Sequence, residues 1–303
     1  MKKHLFILCL FFLTNSLLQG QNISNALDFD GTEDYVSVMN GTALLEGLDE
    51  FSMCGWVYPT NSNAVWPDFD GFFGIKDEGV CDFYLAQING TGLEARLTTN
   101  VATYTINPFE ISEVELEEWH HYALVYTGFT LELYLDGELD GFVDASGSIN
   151  YADKEITFGK LEFFDNDFFL DGMLDEITFW NKALTEEEIQ AAMCITGDPA
   201  GYEGLVAYYD FNEESGTVLP DYFGNYDGIL TAMTGDEWIE SEVCQSGVDI
   251  TFVVTDEVTS EYLEGAEVVF DGISKTTDNN GEAIYSNYDP GTYSWEVSMD
   301  EYY

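Results

Sequence analysis

Trp119-His120-His121-Tyr122-Ala123-Leu124-Val125-Tyr126-Thr127-Gly128-Phe129-Thr130-Leu131-Glu132-Leu133-Tyr134-Leu135-Asp136-Gly137 is the stretch on which the fold turns. Residues 118–127 and 130–135 read as two strands with Gly128 in the turn between them. Leu131, Leu133 and Leu135 point one way and Thr130, Glu132 and Tyr134 the other, the period of two that a half-buried strand shows. Asp136-Gly137 then gives a two-residue hairpin signal leading into Glu138 to Val143. Linked hairpins predict an antiparallel sheet. His120 and His121 sit mid-strand and face opposite ways, so they cannot act together. A structural role is expected for at least one.

Outward from this hairpin the pattern repeats. Leu27 and Phe29 alternate with Asp28 and Asp30, residues 35–38 form a second strand, and Phe51 to Tyr58 a longer one stopped by Pro59. Residues 155–161 and 169–180 add further strands, and Leu205 to Phe211 returns to strand character. One helix stands out. Thr185-Glu186-Glu187-Glu188 is a capping box opening a short amphipathic run through Ile189, Ala192 and Met193 to Cys194. One short helix among a dozen strands predicts an all-β antiparallel sandwich with a surface helix.

Lys2, Lys3 and the apolar run Leu5 to Leu13 read as a signal peptide over 1–21, too short to span a membrane. The mature chain is therefore expected to be secreted or cell-surface, without membrane insertion. The sandwich is expected over 22–245, with a linker near Cys244 to Gly247. A second alternating unit over 246–303 opens at Val248 with Ile250, Phe252 and Val254. Without Cys9 the cysteines are Cys54, Cys81, Cys194 and Cys244, an even count that predicts two disulfides. Three pairings exist; sequence proximity favours Cys54–Cys81 and Cys194–Cys244. No Cys/His spacing typical of zinc ligands occurs.

The chain carries 8 Lys+Arg against 58 Asp+Glu, a formal net charge of −50. Such a surface repels nucleic-acid phosphates and anionic membranes and favours divalent cations or neutral partners such as glycans. Most of these acids are expected on the solvated face.

Four segments, in order, resemble laminin-G-like (concanavalin A-like) jelly-roll domains: Ala26-Leu27-Asp28-Phe29-Asp30-Gly31 with Asp34-Tyr35-Val36; Phe51 to Pro59; Trp119 to Tyr126 with Leu133 to Gly137; and Phe169 to Trp180 with Leu184 to Ile189. The resemblance covers about residues 26–195, in the style of Bacteroidota surface proteins. Residues 205–230 resemble a segment that often precedes the opening strand, so Leu205–Phe211 is expected in the same sandwich, near residues 26–38. The tail, with Gly265 to Val268, Thr277 to Ala283 and Pro290 to Tyr293, resembles a partial immunoglobulin-like, carboxypeptidase-regulatory spacer domain.

The resemblance implies a structural calcium joining the first strand to the last. The matching positions are Asp30 with the Gly31 carbonyl and Asp175, with Asp28 and Asp171 nearby. It also points to a binding or adhesion role toward a glycan or cell-surface protein. Trp66, in the turn-rich stretch Asn61 to Gly71, is a candidate for stacking on a sugar ring, and Asp165 and Asp167 for its hydroxyls. Phe163 and Phe164 are expected in the core. No catalytic residue is assigned: there is no Glu-x-Asp-x-Glu, and adjacent Asp175 and Glu176 face apart on a strand. The alternative is a glycoside hydrolase acting on O-glycosyl bonds, or an accessory domain of one, since related folds include such enzymes.

Overall fold

The computed structural model describes residues 5–8, 24–76, 80–244, 248–256, 259–288 and 293–299. The chain divides into two compact units, Ser24–Cys244 and a smaller one made of Met1–Ile23 with Gln245–Tyr303.

The larger unit is a jelly-roll sandwich of two eight-stranded antiparallel sheets. The first runs Glu138–Asp144, Thr130–Leu135, His120–Tyr126, Phe51–Pro59, Asp171–Trp180, Asn25–Asp30 and Trp238–Glu240, with Leu205–Tyr209 also paired to Asp171–Trp180. The second runs Val218–Leu219, Gly228–Thr231, Tyr35–Val38, Ile156–Phe158, Asp70–Ile75, Phe83–Ile88, Gly92–Thr98 and Thr103–Thr105. Leu27, Phe51, Leu124, Leu131 and Phe179 of the first sheet meet Val36, Phe83, Leu85, Leu97 and Phe158 of the second in one buried core. Phe51 and Phe83 touch edge-on across it, ring centroids 4.1 Å apart.

The strand His120–Tyr126 is apolar on both faces because a helix covers the outer one. Thr185 caps Glu186–Ala192 by accepting from the Glu188 amide while the Glu188 side chain accepts from Thr185 N, the expected capping box. Ile189 and Ala192 then pack with Cys54, Ala123, Val125, Tyr134 and Trp180. Trp56 Nε1 donates to the Met193 carbonyl and fixes the end of the helix. His121 lies on this covered face against Trp56, and burial pulls its pKa down to about 4, so it is a neutral core residue.

After the helix the chain returns first to the strand Asp171–Trp180 and then to the two opening strands of the sandwich. Leu205–Tyr209 pairs with Ile177 to Trp180, Gly228–Thr231 with Tyr35–Val38, and Trp238–Glu240 with Asn25 to Leu27. Residues 205–240 therefore belong to the same sandwich. Cys194 and Cys244 form a disulfide that closes this excursion over a separation of 50 residues. The expected Cys54–Cys81 bond does not form. Cys54 points out of the first sheet under the helix, whereas the Cys81 thiol donates to the Asn150 carbonyl beside the second sheet. Closeness in sequence did not carry these two onto one face.

The smaller unit holds two three-stranded sheets. Val248–Asp256 lies between Leu5–Leu8 and Glu282–Tyr288, and Glu267–Phe270 between Ile273–Thr276 and Trp295–Ser298. Phe252, Val254, Val268, Phe270 and Tyr285 form its core. Of the expected leader only Leu5–Leu8 is described, as a strand antiparallel to Val253 to Asp256; its other residues lie outside the described ones, as does the expected linker at 245–247. Among the described residues no helix is long and apolar enough to cross a membrane.

Three outcomes follow for the cysteines. Under denaturing, non-reducing conditions Cys54 and Cys81 should be alkylated, while Cys194 and Cys244 should appear as one cross-linked peptide in mass spectrometry. Breaking that bond should lower the unfolding free energy by about 4 kcal/mol on the chain-entropy model, read from denaturant titration. In the folded protein Cys54 should resist alkylation, because burial pushes its thiol up to about 12.

Candidate functional site

One end of the sandwich gathers acids. Asp30 ends its strand opposite Asp171, the first residue of the neighbouring strand. Gly31 follows with φ +73°, and a β-carbon there would stand 2.9 Å from the Asp171 β-carbon, so the two strands close only around a glycine. The Gly31 amide donates to the Leu170 carbonyl and the Thr60 hydroxyl to Asp171 Oδ1 at 2.6 Å. Two further segments complete the end: the loop 61–69 and the hairpin Lys160–Phe163 with Asn166–Phe169. Together they line a cavity of about 630 Å³ that includes Asp30, Gly31, Asn61, Asp68, Asp70, Asp165, Asp167 and Asp171.

The carboxylates differ in how far the protein already satisfies them. Asp30 accepts from the Thr32 hydroxyl at 2.6 Å and from the Thr32 and Glu33 amides, and the Thr32 bond leads in holding its carboxyl below the usual range. Asp167 pairs with Lys160 Nζ at 3.1 Å. Asp70 is the outlier. It is 2% exposed; Oδ1 accepts from Asn61 Nδ2 at 3.0 Å, and buried Oδ2 has no hydrogen-bond partner. Burial, with lesser repulsion from Asp171 and Asp68, pushes its carboxyl up to about 7.

A second, apolar cavity of about 170 Å³ adjoins the outer face of the second sheet. Trp66, Phe69, Phe163 and Phe168 wall it, and Tyr84, Ala86 and Ile88 lie beneath. Trp66, 54% exposed, meets Phe69, Phe163 and Phe168 edge-on at 5.8–5.9 Å. Polar groups converge at its edge: Lys76 Nζ lies 2.9 Å from the Tyr84 hydroxyl, which donates to Glu94, and Glu94 pairs with Arg96, the chain's single arginine. Aromatic walls beside planar hydrogen-bonding groups suit a sugar ring.

Asp30, Gly31, Asp171, Asp165 and Asp167 thus share one cavity, with Trp66 in the adjoining one. Asp28 lies two residues back along the strand, exposed and outside the lining. Asp175 does not join them. It lies four residues beyond Asp171 on its strand, roughly 13 Å away at strand rise. There it is fully buried at a bulge, where Ser241 Oγ donates to Oδ2 at 2.6 Å. Burial keeps its carboxyl well above the usual range. Glu176 beside it is buried too, accepts from the Tyr208 hydroxyl at 2.7 Å, and is raised by burial to about 8. Phe164 also departs from expectation: it sits at a positive-φ turn position, 60% exposed. Asp70, Tyr84 and Arg96 were not foreseen; the Asp68-x-Asp70 spacing, like Asp165-x-Asp167, was the available signal for the first.

The calcium that the fold implies has one supporting feature here. The donors at the acidic cavity are all oxygen, and Asp70 Oδ2 is buried without a partner. Asp68, Asp70 and Asp171 bring hard oxygen donors to this cavity together with Asn61, but the three carboxylates do not converge within 4.8 Å of one another. Asp30 already caps a turn, Oδ1 accepting two amides and Oδ2 the Thr32 hydroxyl.

Comparison with known proteins agrees with this architecture. A protein of Bacteroides ovatus, provisionally described as carbohydrate binding, superposes with TM-score 0.56 at 20% identity; the match covers 73% of this chain and 61% of that one. The heptameric SAP-like pentraxin of Limulus polyphemus is similar at TM-score 0.42 and 18% identity, covering 56% and 82%. The CBM40 of the Ruminococcus gnavus IT-sialidase, solved with α2,3-sialyllactose, is similar at TM-score 0.41 and 13% identity, covering 57% and 98%. None of the curated proteins matches the chain. The family profile of the concanavalin A-like lectin/glucanases superfamily matches residues 30–190, more than half of the chain, and the chain belongs to that superfamily.

Proposed function

We propose that this chain is an exported, non-catalytic glycan-binding module. The observation that carries the reading is the open aromatic cavity at Trp66, edged by Lys76, Glu94 and Arg96 and adjoining the acidic end. The provisional description of the Bacteroides ovatus protein supports it. In this reading a sugar ring lies against Trp66 and Phe163 while Lys76, Glu94 and Arg96 hydrogen-bond its hydroxyls. Asp165 and Asp167 on the hairpin beyond face a neighbouring residue of the glycan. A calcium ion drawn to Asp70, with the loop 61–69 closing so that Asp68 and Asp171 approach it, would tie that loop to the sandwich and so fix the position of Trp66. The leader is removed on export, and the smaller unit acts as a spacer of immunoglobulin-like type within a longer surface protein.

A glycan array on the full chain should give a restricted set of ligands. Trp66→Ala should weaken them by about 1 kcal/mol, roughly five- to ten-fold, with little change in melting temperature because the side chain is half exposed. An array with no ligand, or binding indifferent to Trp66→Ala, would sink the reading. Release of reducing sugar from the bound glycan, abolished by Asp70→Asn, would replace it with a hydrolase.

Calcium and pH should compete at Asp70. Its raised carboxyl contributes stability that is fully present below pH 4 and is lost as pH rises through about 7. Without calcium the melting temperature should therefore fall between pH 5 and 8. Glu176, raised to about 8, and Asp34, raised by burial to about 6, act in the same sense. Added calcium should stabilise more at pH 8 than at pH 5, because the ion must displace the Asp70 proton. Asp70→Asn should shrink the pH step and remove the calcium response, both read by calorimetry.

A further inference from the structure

A different group of ligating side chains lies away from the acidic cavity, where the segment 112–119 leads into the strand His120–Tyr126. The ligating atoms of Glu115, Glu118 and His120 lie within 4.8 Å of one another, and none of the three residues lines the cavities described above. Glu117, between the two acids, has φ +60°, and its amide donates to the Pro59 carbonyl at 2.9 Å, which anchors the segment to the neighbouring strand.

The imidazole is oriented from behind. His120 Nδ1 lies 2.8 Å from Asp136 Oδ2. Asp136 is itself held in the hairpin turn: its Oδ1 accepts from the His121 amide at 2.9 Å, and its own amide donates to the His121 carbonyl at 2.8 Å. A carboxylate at Nδ1 assigns the proton of the neutral ring to that nitrogen and leaves the lone pair on Nε2. Nε2 is buried, makes no hydrogen bond, and stands 3.8 Å from Glu115 Oε2. With the ring neutral, a lone pair and two carboxylates face one another across a gap, an arrangement that a proton on Nε2 or a bound cation relieves. Ligands about 2.1 Å from a shared tetrahedral ion stand roughly 3.4 Å apart, so a small closure of the exposed Glu115 side chain completes the contact.

We propose that Glu115, Glu118 and His120 form a binding site for a borderline first-row divalent ion of the Zn²⁺ class, with Asp136 as the outer partner that fixes the imidazole. One nitrogen and two carboxylate oxygens select such an ion over Ca²⁺, which prefers oxygen throughout. Three protein ligands leave the fourth position to water. The ion joins the segment 112–119 to the strand, and Asp136 extends that link to the hairpin of residues 130–144.

The test is titration of the full chain with Zn²⁺ by calorimetry, and with Co²⁺ by visible absorption, in a large excess of Ca²⁺ that occupies the oxygen-only acidic sites. The wild type should bind a single Zn²⁺ under these conditions and give a Co²⁺ spectrum with nitrogen ligation. His120→Gln should abolish it. Because that change could disturb the hairpin, the double variant Glu115→Gln with Glu118→Gln, on exposed side chains, should independently weaken binding at least ten-fold with an unchanged melting temperature in chelator. Asp136→Asn should weaken it by about 10- to 100-fold, the usual cost of losing an outer partner. Zn²⁺ binding that excess Ca²⁺ eliminates, or that persists in both His120→Gln and the double glutamine variant, would overturn the proposal.

Discussion

The strand Asp171–Trp180 carries most of the larger unit. One of its edges pairs with Phe51–Pro59, and the other is shared end to end by Asn25–Asp30 and Leu205–Tyr209. Residues far apart in sequence are locked into register by one ladder, so its alternation decides what faces the core. Leu174, Ile177 and Phe179 enter the inter-sheet core, and Trp180 packs under the helix. The bulge between Asp175 and Thr178 changes the phase mid-strand. It keeps Leu174 before it and Ile177 and Phe179 after it on the core face while Trp180 turns to the helix, and it leaves Asp175 and Glu176 buried, each bonded by a hydroxyl from the returning segment, Ser241 and Tyr208. Removing either hydroxyl would leave a buried carboxyl without its donor, which is why residues 205–241 are integral to the sandwich.

The same ladder creates the acidic end. Asp171 starts the strand where Asp30 finishes its partner, and the glycine beside Asp30 permits the close approach. The loop 61–69 and the hairpin 160–169 then add acids from two other directions. With a formal charge of −50 and few basic residues, the chain has little means of neutralising them internally. It uses amides and hydroxyls at Asp30, one lysine at Asp167, and protonation at Asp70. Repulsion and desolvation are thus concentrated at one buried carboxyl instead of being spread over the rim.

The architecture was legible in the sequence where local rules and tertiary packing agree. The hairpin at Asp136-Gly137, the stop at Pro59 and the Thr185–Glu188 cap are set by neighbours in the chain, and each stands where the sequence places it. The opposite facing of His120 and His121 follows from the same period of two. Much of the second sheet escaped, because Asp70–Ile75 and Phe83–Ile88 are buried on both faces and show no alternation to read. The Cys54–Cys81 pairing failed because disulfides follow spatial neighbours, and Cys54 lies on the first sheet under the helix while Cys81 lies in a bend beside the second. Asp175 failed as a companion of Asp30 because four residues of strand separate their neighbourhoods, a distance that a loop could have folded away but a ladder cannot.

What distinguishes the candidate sites is the partner each polar atom lacks. Asp70 Oδ2 is an unpaired oxygen among oxygens, so it calls for a proton or a hard cation. His120 Nε2 is an unpaired nitrogen whose tautomer is set from behind by Asp136, so it calls for a softer ion. Trp66 lacks no partner, since three aromatic edges surround it, and its exposed area instead invites a face that stacks. A composition of acids and aromatics alone would have merged these into one sticky surface. Their placement holds them apart: Asp70 on its strand and Trp66 on the loop 61–69 face two adjoining cavities, and His120 opens the strand His120–Tyr126. The chemistry of each site is therefore set by which side-chain partner its neighbours supply and which they leave out.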